Sequence, residues 1–254
     1  MSVSHAGRFV WRELIAERVD AARAFYTELF GWELKSVPMP GFDYAMFHHA
    51  GLGEDIGGLM KPPMEGTPPH WATYITVDDV DAAVAEITRL GGTILAPPMS
   101  APGVGRWAVV ADPQGAVFCP FVGETPGATP DRRPPVGTFC WSQLMTRDLD
   151  AAAAFYGAIT GWTKLPMGPG MIGFNHGEIT RSSAMAIPDG APFPPNWVNY
   201  VSVDDCDASF ARAVALGAEA LAPPSTMEGM GRFAVLHDPA GAVIALWQDL
   251  GGES

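Results

Sequence analysis

The sequence predicts an α+β protein made of two copies of one module. Three observations predict it. The chain carries a long internal repeat, it alternates short strand-like stretches with helical ones, and each copy ends on an Asp-Pro-x-Gly turn between apolar runs.

The repeat is dense. Phe9-Val10-Trp11-Arg12-Glu13-Leu14 matches Phe139-Cys140-Trp141-Ser142-Gln143-Leu144 at an offset of 130, and the same offset pairs Phe25-Tyr26 with Phe155-Tyr156 and Gly31-Trp32 with Gly161-Trp162. Further along, the offset is 126. It pairs Trp71 with Trp197, Tyr74 with Tyr200, Ala96-Pro97-Pro98 with Ala222-Pro223-Pro224, and Gly105-Arg106 with Gly231-Arg232. From Trp71 to Val117, 24 of 47 positions are identical to the second copy. A fixed period of this kind marks a duplicated structural unit. The copies span 1–123 and 137–254. Between them, 124–136 holds four prolines and no apolar periodicity, and reads as an extended linker.

Within the first copy the elements follow in order. Phe9 to Leu14 alternates as a strand does. A helix follows, with Asp20 as its candidate N-cap, Ala22, Phe25, Tyr26 and Leu29 at helical spacing, and Gly31 where it would end. In the second copy Asp148 or Asp150 caps and Gly161 stops. Phe42 to Ala50 and Ile56 to Met60 read as strands, as does Trp71 to Val77. Asp78 or Asp79 then caps a second helix that presents Val80, Val84, Ile87 and Leu90 on one face. A short strand, Thr93 to Ala96, precedes a hairpin turning at Asp112-Pro113-Gln114-Gly115, where proline fixes φ and glycine accepts a positive one.

Bulk composition narrows the function. The chain has 254 residues, 48% of them hydrophobic, and a formal charge of −13. That charge opposes binding to nucleic acid, whose phosphates need cations; it is compatible with a cationic ligand, and equally reads as acidity that only keeps the protein soluble. No apolar run approaches the roughly 18 residues of a membrane span, and the first residues lack the pattern of a secretory signal. Cys119, Cys140 and Cys206 are an odd number without metal-type spacing, as expected of free thiols in a reducing cytoplasm. The expectation is a cytoplasmic chain with no nucleic-acid or membrane partner.

The pattern Asp-x-x-x-Ala-x-x-Phe-Tyr-x-x-x-x-Gly-Trp, the Val-Asp-Asp helix start and Gly-Arg-x-Ala-Val-x-x-Asp-Pro-x-Gly-Ala resemble the vicinal oxygen chelate superfamily. That group includes glyoxalase I, extradiol dioxygenases and bleomycin-binding resistance proteins. The resemblance covers nearly the whole chain. It implies two tandem βαβββ modules that together close an eight-stranded cup, with helices outside. In metal-using members, ligands come from the first and last strands of a module. Carried over, these positions fall on Trp11, Trp141, Cys119 and Ala245, of which only the thiol suits a metal. A shift of two residues along the first strand substitutes Glu13 and Gln143. The resemblance therefore leads to an expectation of no metal and no cofactor, and leaves glyoxalase or dioxygenase chemistry without its usual ligands.

On the inward face of such a cup stand Trp11, Glu13, Cys119 and Phe121 from the first copy, and Trp141, Gln143, Ala245 and Trp247 from the second. Two readings stand: these rings wall a small-molecule pocket with a few fixed polar groups, or they fill the cup as ordinary core. Repetition of Trp71, Trp197, Tyr74 and Tyr200 favours structural roles. Arg106 and Arg232 are expected to pair with local carboxylates such as Asp112 and Asp238. Of the histidines, His48 and His49 are adjacent, while His70, His176 and His237 have no partner in the repeat. The expected function is metal-independent binding of a small hydrophobic or aromatic molecule for resistance, sequestration or presentation to an enzyme. The alternative is a glyoxalase-like lyase, isomerase or hydroxylase-type enzyme, with Glu13 as its catalytic base. The chain is expected to act as a monomer with both modules paired in one chain, or as a homodimer.

Overall fold

A computed structural model describes residues 6–39, 42–124 and 134–251, so most of the expected linker lies outside the described residues. The first module runs β1 (Phe9–Ile15), α1 (Val19–Phe30), β2 (Glu33–Met39), β3 (Phe42–His49), β4 (Glu54–Met60), β5 (His70–Thr76), α2 (Val80–Arg89), β6 (Thr93–Ala101), β7 (Gly105–Ala111) and β8 (Val117–Gly123). The second repeats it with β9 (Phe139–Thr146), α3 (Leu149–Thr160), β10 (Thr163–Gly168), β11 (Met171–His176), β12 (Ile179–Ala186), β13 (Asn196–Ser202), α4 (Cys206–Ala215), β14 (Glu219–Met227), β15 (Gly231–His237) and β16 (Val243–Asp249).

The α+β class and the tandem modules stand, but the strand count per module differs from expectation. Each module contains the βαβββ run twice and forms an eight-stranded sheet by itself, ordered β2-β3-β4-β1-β5-β8-β7-β6 and β10-β11-β12-β9-β13-β16-β15-β14. The sheets are mixed: β1 pairs parallel with β4 and β5 with β8, while the other pairings in each half are antiparallel. All four outermost strands carry proline: Pro38, Pro97-Pro98, Pro166 and Pro223-Pro224. Proline cannot donate to a further ladder, so these edges resist adding another strand.

Helix ends follow local chemistry. Asp148 rather than Asp150 caps α3, accepting from the amides of Asp150 and Ala151, and Asp79 rather than Asp78 caps α2 through Ala82. The expected cap at Asp20 is not one: Arg18 occupies the N-cap without a side-chain bond, and Asp20 sits in the first turn, where a carboxylate favours the helix dipole. Gly31 and Gly161 end α1 and α3 in the left-handed conformation, at φ 70° and 74°.

The chain divides into two compact units, and each draws on both modules. One comprises Met1–Val10, Ala72–Asp131 and Ser142–Trp197; the other comprises Trp11–Trp71, Arg132–Trp141 and Val198–Ser254. In the second of these, Leu14, Phe25, Tyr26, Trp32, Phe47 and Leu59 pack with Val201, Leu236, Ile244 and Leu246. In the first, Ile75, Ile87, Val110 and Phe118 pack with Leu144, Phe155, Tyr156, Trp162 and Phe174.

Each core is pinned by a three-residue chain of hydrogen bonds. Trp71 Nε1 donates to the Tyr26 hydroxyl (2.8 Å), which donates to Asp238 Oδ2 (2.8 Å). In the other unit Trp197 Nε1 donates to Tyr156 (3.0 Å), which donates to Asp112 Oδ2 (3.1 Å). The second oxygen of each aspartate holds its own Asp-Pro-x-Gly turn: Asp238 Oδ1 accepts from Ala240 and Ala242, Asp112 Oδ1 from Gln114 and Ala116. The structural role expected of Trp71 and Trp197 is the one they have. Arg106 and Arg232 consequently pair elsewhere than expected, with both oxygens of Asp81 and of Asp207.

Candidate ligand site

On β1, Leu14 enters the core, so the alternation of a strand turns Trp11 and Glu13 to the other face of the sheet. Register aligns Glu13 with Gly58 on β4, and Gly58 with Met46 on β3. Tyr44, two residues before Met46, therefore shares their face. Trp11 Nε1 donates to the Tyr44 hydroxyl at 3.2 Å, and that hydroxyl bonds the buried Glu13 carboxylate. Trp11, Tyr44 and Glu13 thus form a third Trp–Tyr–carboxylate chain, outside the core and without a copy in the second module.

Gly58 makes the arrangement possible. A Cβ there would lie 2.3 Å from the Tyr44 hydroxyl oxygen and 3.2 Å from Glu13 Oε1. No side chain fits while the phenol is in place. Burial, reinforced by the Glu13 charge, pushes the Tyr44 phenol well above its ordinary range. It acts as a hydrogen-bond donor, not a base. In the same unit Tyr44 also lines a cavity of about 480 Å³, together with Arg23, Val37, Met60 and Lys61.

The second module differs at each equivalent position. Register aligns Gln143 with Ser183, and Gln143 Nε2 donates to Ser183 Oγ at 3.2 Å. Met171 aligns with Met185 as Tyr44 aligns with Met60. Glutamate, glycine and tyrosine are thus replaced by glutamine, serine and methionine, and a neutral pair stands where the first module has a carboxylate and a phenol.

The remaining expected site residues lie on the same kind of face. In one unit, Cys119 aligns with Tyr74, whose ring meets Phe121 edge-on at 6.0 Å. In the other, Ala245 aligns with Tyr200, which meets Trp247 edge-on at 6.4 Å. Trp141 is half-buried on β9.

The amino-acid sequence places this geometry among known proteins. It is 37% identical over 93% of its length to "Putative glyoxylase CFP32" of Mycobacterium tuberculosis, covering 92% of that protein. The chain belongs to the glyoxalase/bleomycin resistance protein/dioxygenase superfamily. The family model of that description matches residues 4–119, and a glyoxalase-like domain model matches 141–247. "Anthracycline biosynthesis protein DnrV" of Streptomyces peucetius is 31% identical over 93% of this chain and 91% of its own. Among solved structures, the Mn(II)-bound glyoxalase of Novosphingobium aromaticivorans aligns with a TM-score of 0.66 at 18% identity, over 98% of this chain and 84% of that one. The 2,3-dioxygenase LapB of Pseudomonas sp. KL28 aligns at 0.62 and 12%, over 98% and 94%. At such identities the likeness is one of fold.

Superfamily membership raises the question of a metal, and the donors here do not fit one. The register partner of Glu13 is Gly58 and that of Cys119 is Tyr74, so neither position is paired with an imidazole or a carboxylate. Among the described residues, no three His, Cys, Asp or Glu side chains come together as ligands. Eight strands per module place Glu13 and Cys119 in one sheet and Gln143 in the other, so the eight inward residues expected on a single cup belong four to each sheet.

Tyr44 and Gly58 escaped the sequence reading, and one histidine was misread. Tyr44 lies in the variable middle of the module, and its only signal was the lack of a counterpart in the repeat. His176 does have a counterpart. Phe47 and Phe174 are equivalent buried rings, packed on Tyr26 and Tyr156, which pairs His49 with His176. Among the described residues, the Nδ1 atoms of both are buried without a hydrogen-bond partner.

Proposed function

We propose that this superfamily member binds a flat aromatic or hydrophobic small molecule without a metal, with Trp11 and Tyr44 as its aromatic contacts and Glu13 as its polar anchor. The observation that carries the reading is the Trp11–Tyr44–Glu13 chain laid over Gly58. Rings with a few fixed polar groups are the usual makings of a small-molecule site. Phe121 with Tyr74, and Trp247 with Tyr200, offer further aromatic surface on their own strands. Trp141 belongs to the same unit as Trp11 and Glu13, and Cys119 and Gln143 are proposed as contacts within the other unit. The relative DnrV, by its name, serves anthracycline biosynthesis; a fused-ring aromatic product is the kind of ligand proposed here. Its capture would serve resistance, sequestration or presentation to an enzyme. Three free thiols suit a reducing cytoplasm as the place of action, and each unit, built from both modules, suits a single chain as the working form.

Tryptophan fluorescence tests the proposal. Planar polycyclic aromatics should quench emission saturably, with equal affinity before and after EDTA treatment, and Trp11→Phe should weaken the response. Absence of saturable binding across such compounds would sink it.

A second reading has its own support. A buried carboxylate held by a tyrosine donor is also how a general base is oriented, so a lyase or isomerase acting through Glu13 is the rival. Glu13→Gln separates the two: it abolishes turnover in an enzyme and only weakens capture in a binding protein.

A further inference from the structure

The cavity of about 480 Å³ that Tyr44 lines is bounded by the start of α1 and by β2, β3 and β4, all within one unit. Its volume falls within the roughly 300–1,000 Å³ usual for small-molecule sites. Val37, Pro38, Leu59 and Met60 give it apolar walls. Two cations share that lining: Arg23, from the second turn of α1, and Lys61, just past the end of β4. One acid, Asp20, stands with them.

We infer that this cavity is a binding site for small organic acids, with Arg23 and Lys61 receiving the carboxylate and the apolar walls receiving the body of the molecule. The inference goes beyond the binding function proposed above. It uses neither Trp11 nor Glu13, and Tyr44 enters only as part of the wall.

The cations carry the argument. Elsewhere in this acidic chain, basic side chains are taken up by acids: Arg106 by Asp81, Arg232 by Asp207 and Lys164 by Asp150. Among the described residues, Arg23 and Lys61 have neither a hydrogen bond nor an ion pair, although Asp20 lies one turn before Arg23. The second module began as a copy, and its counterparts can be read off. α1 and α3 are both 12 residues long, so Arg23 corresponds to Ala153. Met60 aligns with Ile15 as Met185 aligns with Met145, so Lys61, the next residue, corresponds to Ala186. Both cations are thus alanine in the other copy. The acid is kept, as Asp150 in the first turn of α3, where a carboxylate suits the helix dipole in either module. Asp20 therefore belongs to the shared fold, and the two cations belong to the first module alone. Two cations less one acid leave the lining a formal charge of about +1, which matches a singly charged acid. A guanidinium forks onto both oxygens of a carboxylate, and an ammonium donates to a lone pair that remains. Arg23 and Lys61 are exposed, so each acts with the modest, salt-screened strength of a surface charge.

The test uses the full chain, titrated calorimetrically with octanoate and with octanamide, which share one aliphatic body and differ in charge. The aliphatic body keeps both probes apart from flat aromatic contacts. At low salt the wild type should prefer octanoate by about fivefold, the scale of two exposed ion pairs, and high salt should shrink the preference. The double variant Arg23→Ala/Lys61→Ala, which copies the second module, should bind acid and amide alike, whereas Trp11→Phe should keep the preference. Circular dichroism checks the fold, and the single variants Arg23→Gln and Lys61→Gln, each expected to lower the preference, decide the matter should the double variant not fold. Octyl phosphate, doubly charged at pH 8, should bind no tighter than octanoate. Equal affinity of the wild type for acid and amide, binding of neither, or a preference that survives in the folded variants overturns the inference. Tighter binding of octyl phosphate overturns the assignment to carboxylates. Failure here leaves the capture of planar aromatics standing, since tryptophan quenching reads that separately.

Discussion

Tyr26 on α1 donates its hydroxyl proton to Asp238, 212 residues away in the last turn of the second module, at 2.8 Å. The bond ties a helix of one copy to a turn of the other inside one core. Tyr26→Phe would leave both the Asp238 oxygen and the Trp71 N–H short of a partner in a buried place. The expected loss is about 2–3 kcal/mol, the range for hydrogen bonds to charged groups plus a stranded donor. Urea unfolding measures it, and Tyr156→Phe should lose a similar amount in the other unit. A loss under about 0.5 kcal/mol, no larger than that of an ordinary surface change, would mean the chain of bonds is not a support.

The same aspartates give stability a pH dependence of unusual sign. Asp112 and Asp238 are raised above the ordinary aspartate value of 3.8, chiefly by burial, with the turn amides and tyrosine bonds working the other way. A raised carboxylate takes up its proton in the folded chain before the unfolded chain does. Stability from these two therefore rises as pH falls toward 3.8, and declines as pH climbs through their folded values. Asp81 and Asp207, lowered first by hydrogen bonds from Arg106 and Arg232, behave oppositely: their contribution is present above 3.8 and is lost on acidification below it. The melting temperature of the wild type minus that of Asp112→Asn/Asp238→Asn should therefore grow from pH 7 toward pH 4. A difference that stays flat, or shrinks, would refute the assignment.

The duplication was legible because identical residues recur at a fixed offset, and so were the strands and helices whose apolar spacing is regular. The smaller repeat inside each module was not. β1-α1-β2-β3-β4 and β5-α2-β6-β7-β8 share a topology with little residue identity, since a strand needs only alternation and many side chains satisfy it. β2, Glu-Leu-Lys-Ser-Val-Pro-Met, is an edge strand with a proline and mostly exposed residues, so the alternation that reveals a strand is weak there. At the candidate site, Trp11 and Glu13 could be read from the alternation of β1. Tyr44 and Gly58 could not, because their meeting depends on the register of β3 and β4, a relationship between strands that neither strand carries alone.

Because each core takes residues from both modules, neither module should fold without the other. A fragment ending at Ala128 would keep Leu14, Phe25, Trp32 and Phe47 but lose Val201, Leu236, Ile244 and Leu246 from the same cluster. It would expose a large apolar face to water. Fragments 1–128 and 129–254 should each lack a cooperative melt, and mixing them should restore one together with the full-length circular dichroism. A sharp, independent melt of either fragment would show that the interleaved core is dispensable.

The thiols offer a test of the interior. Cys140 donates to the Tyr200 carbonyl at 3.5 Å, and burial pushes its pKa up to about 12. Cys206 opens α4, a position that ordinarily makes a thiol more acidic. Here burial prevails and raises it to about 11, helped by the neighbouring Asp207 charge. Cys119 is 1% exposed on β8. The thiolate is the reactive form, and a thiol of pKa about 11 is only about one part in a thousand thiolate at pH 8. The folded protein should therefore react with Ellman's reagent at pH 8 slowly at all three positions. In denaturant the full complement of three should appear within minutes. One rapid equivalent in the folded state, traced by mass spectrometry to Cys140 or Cys206, would show that its strand or helix opens to water, and the burial that raises its pKa would have to be abandoned.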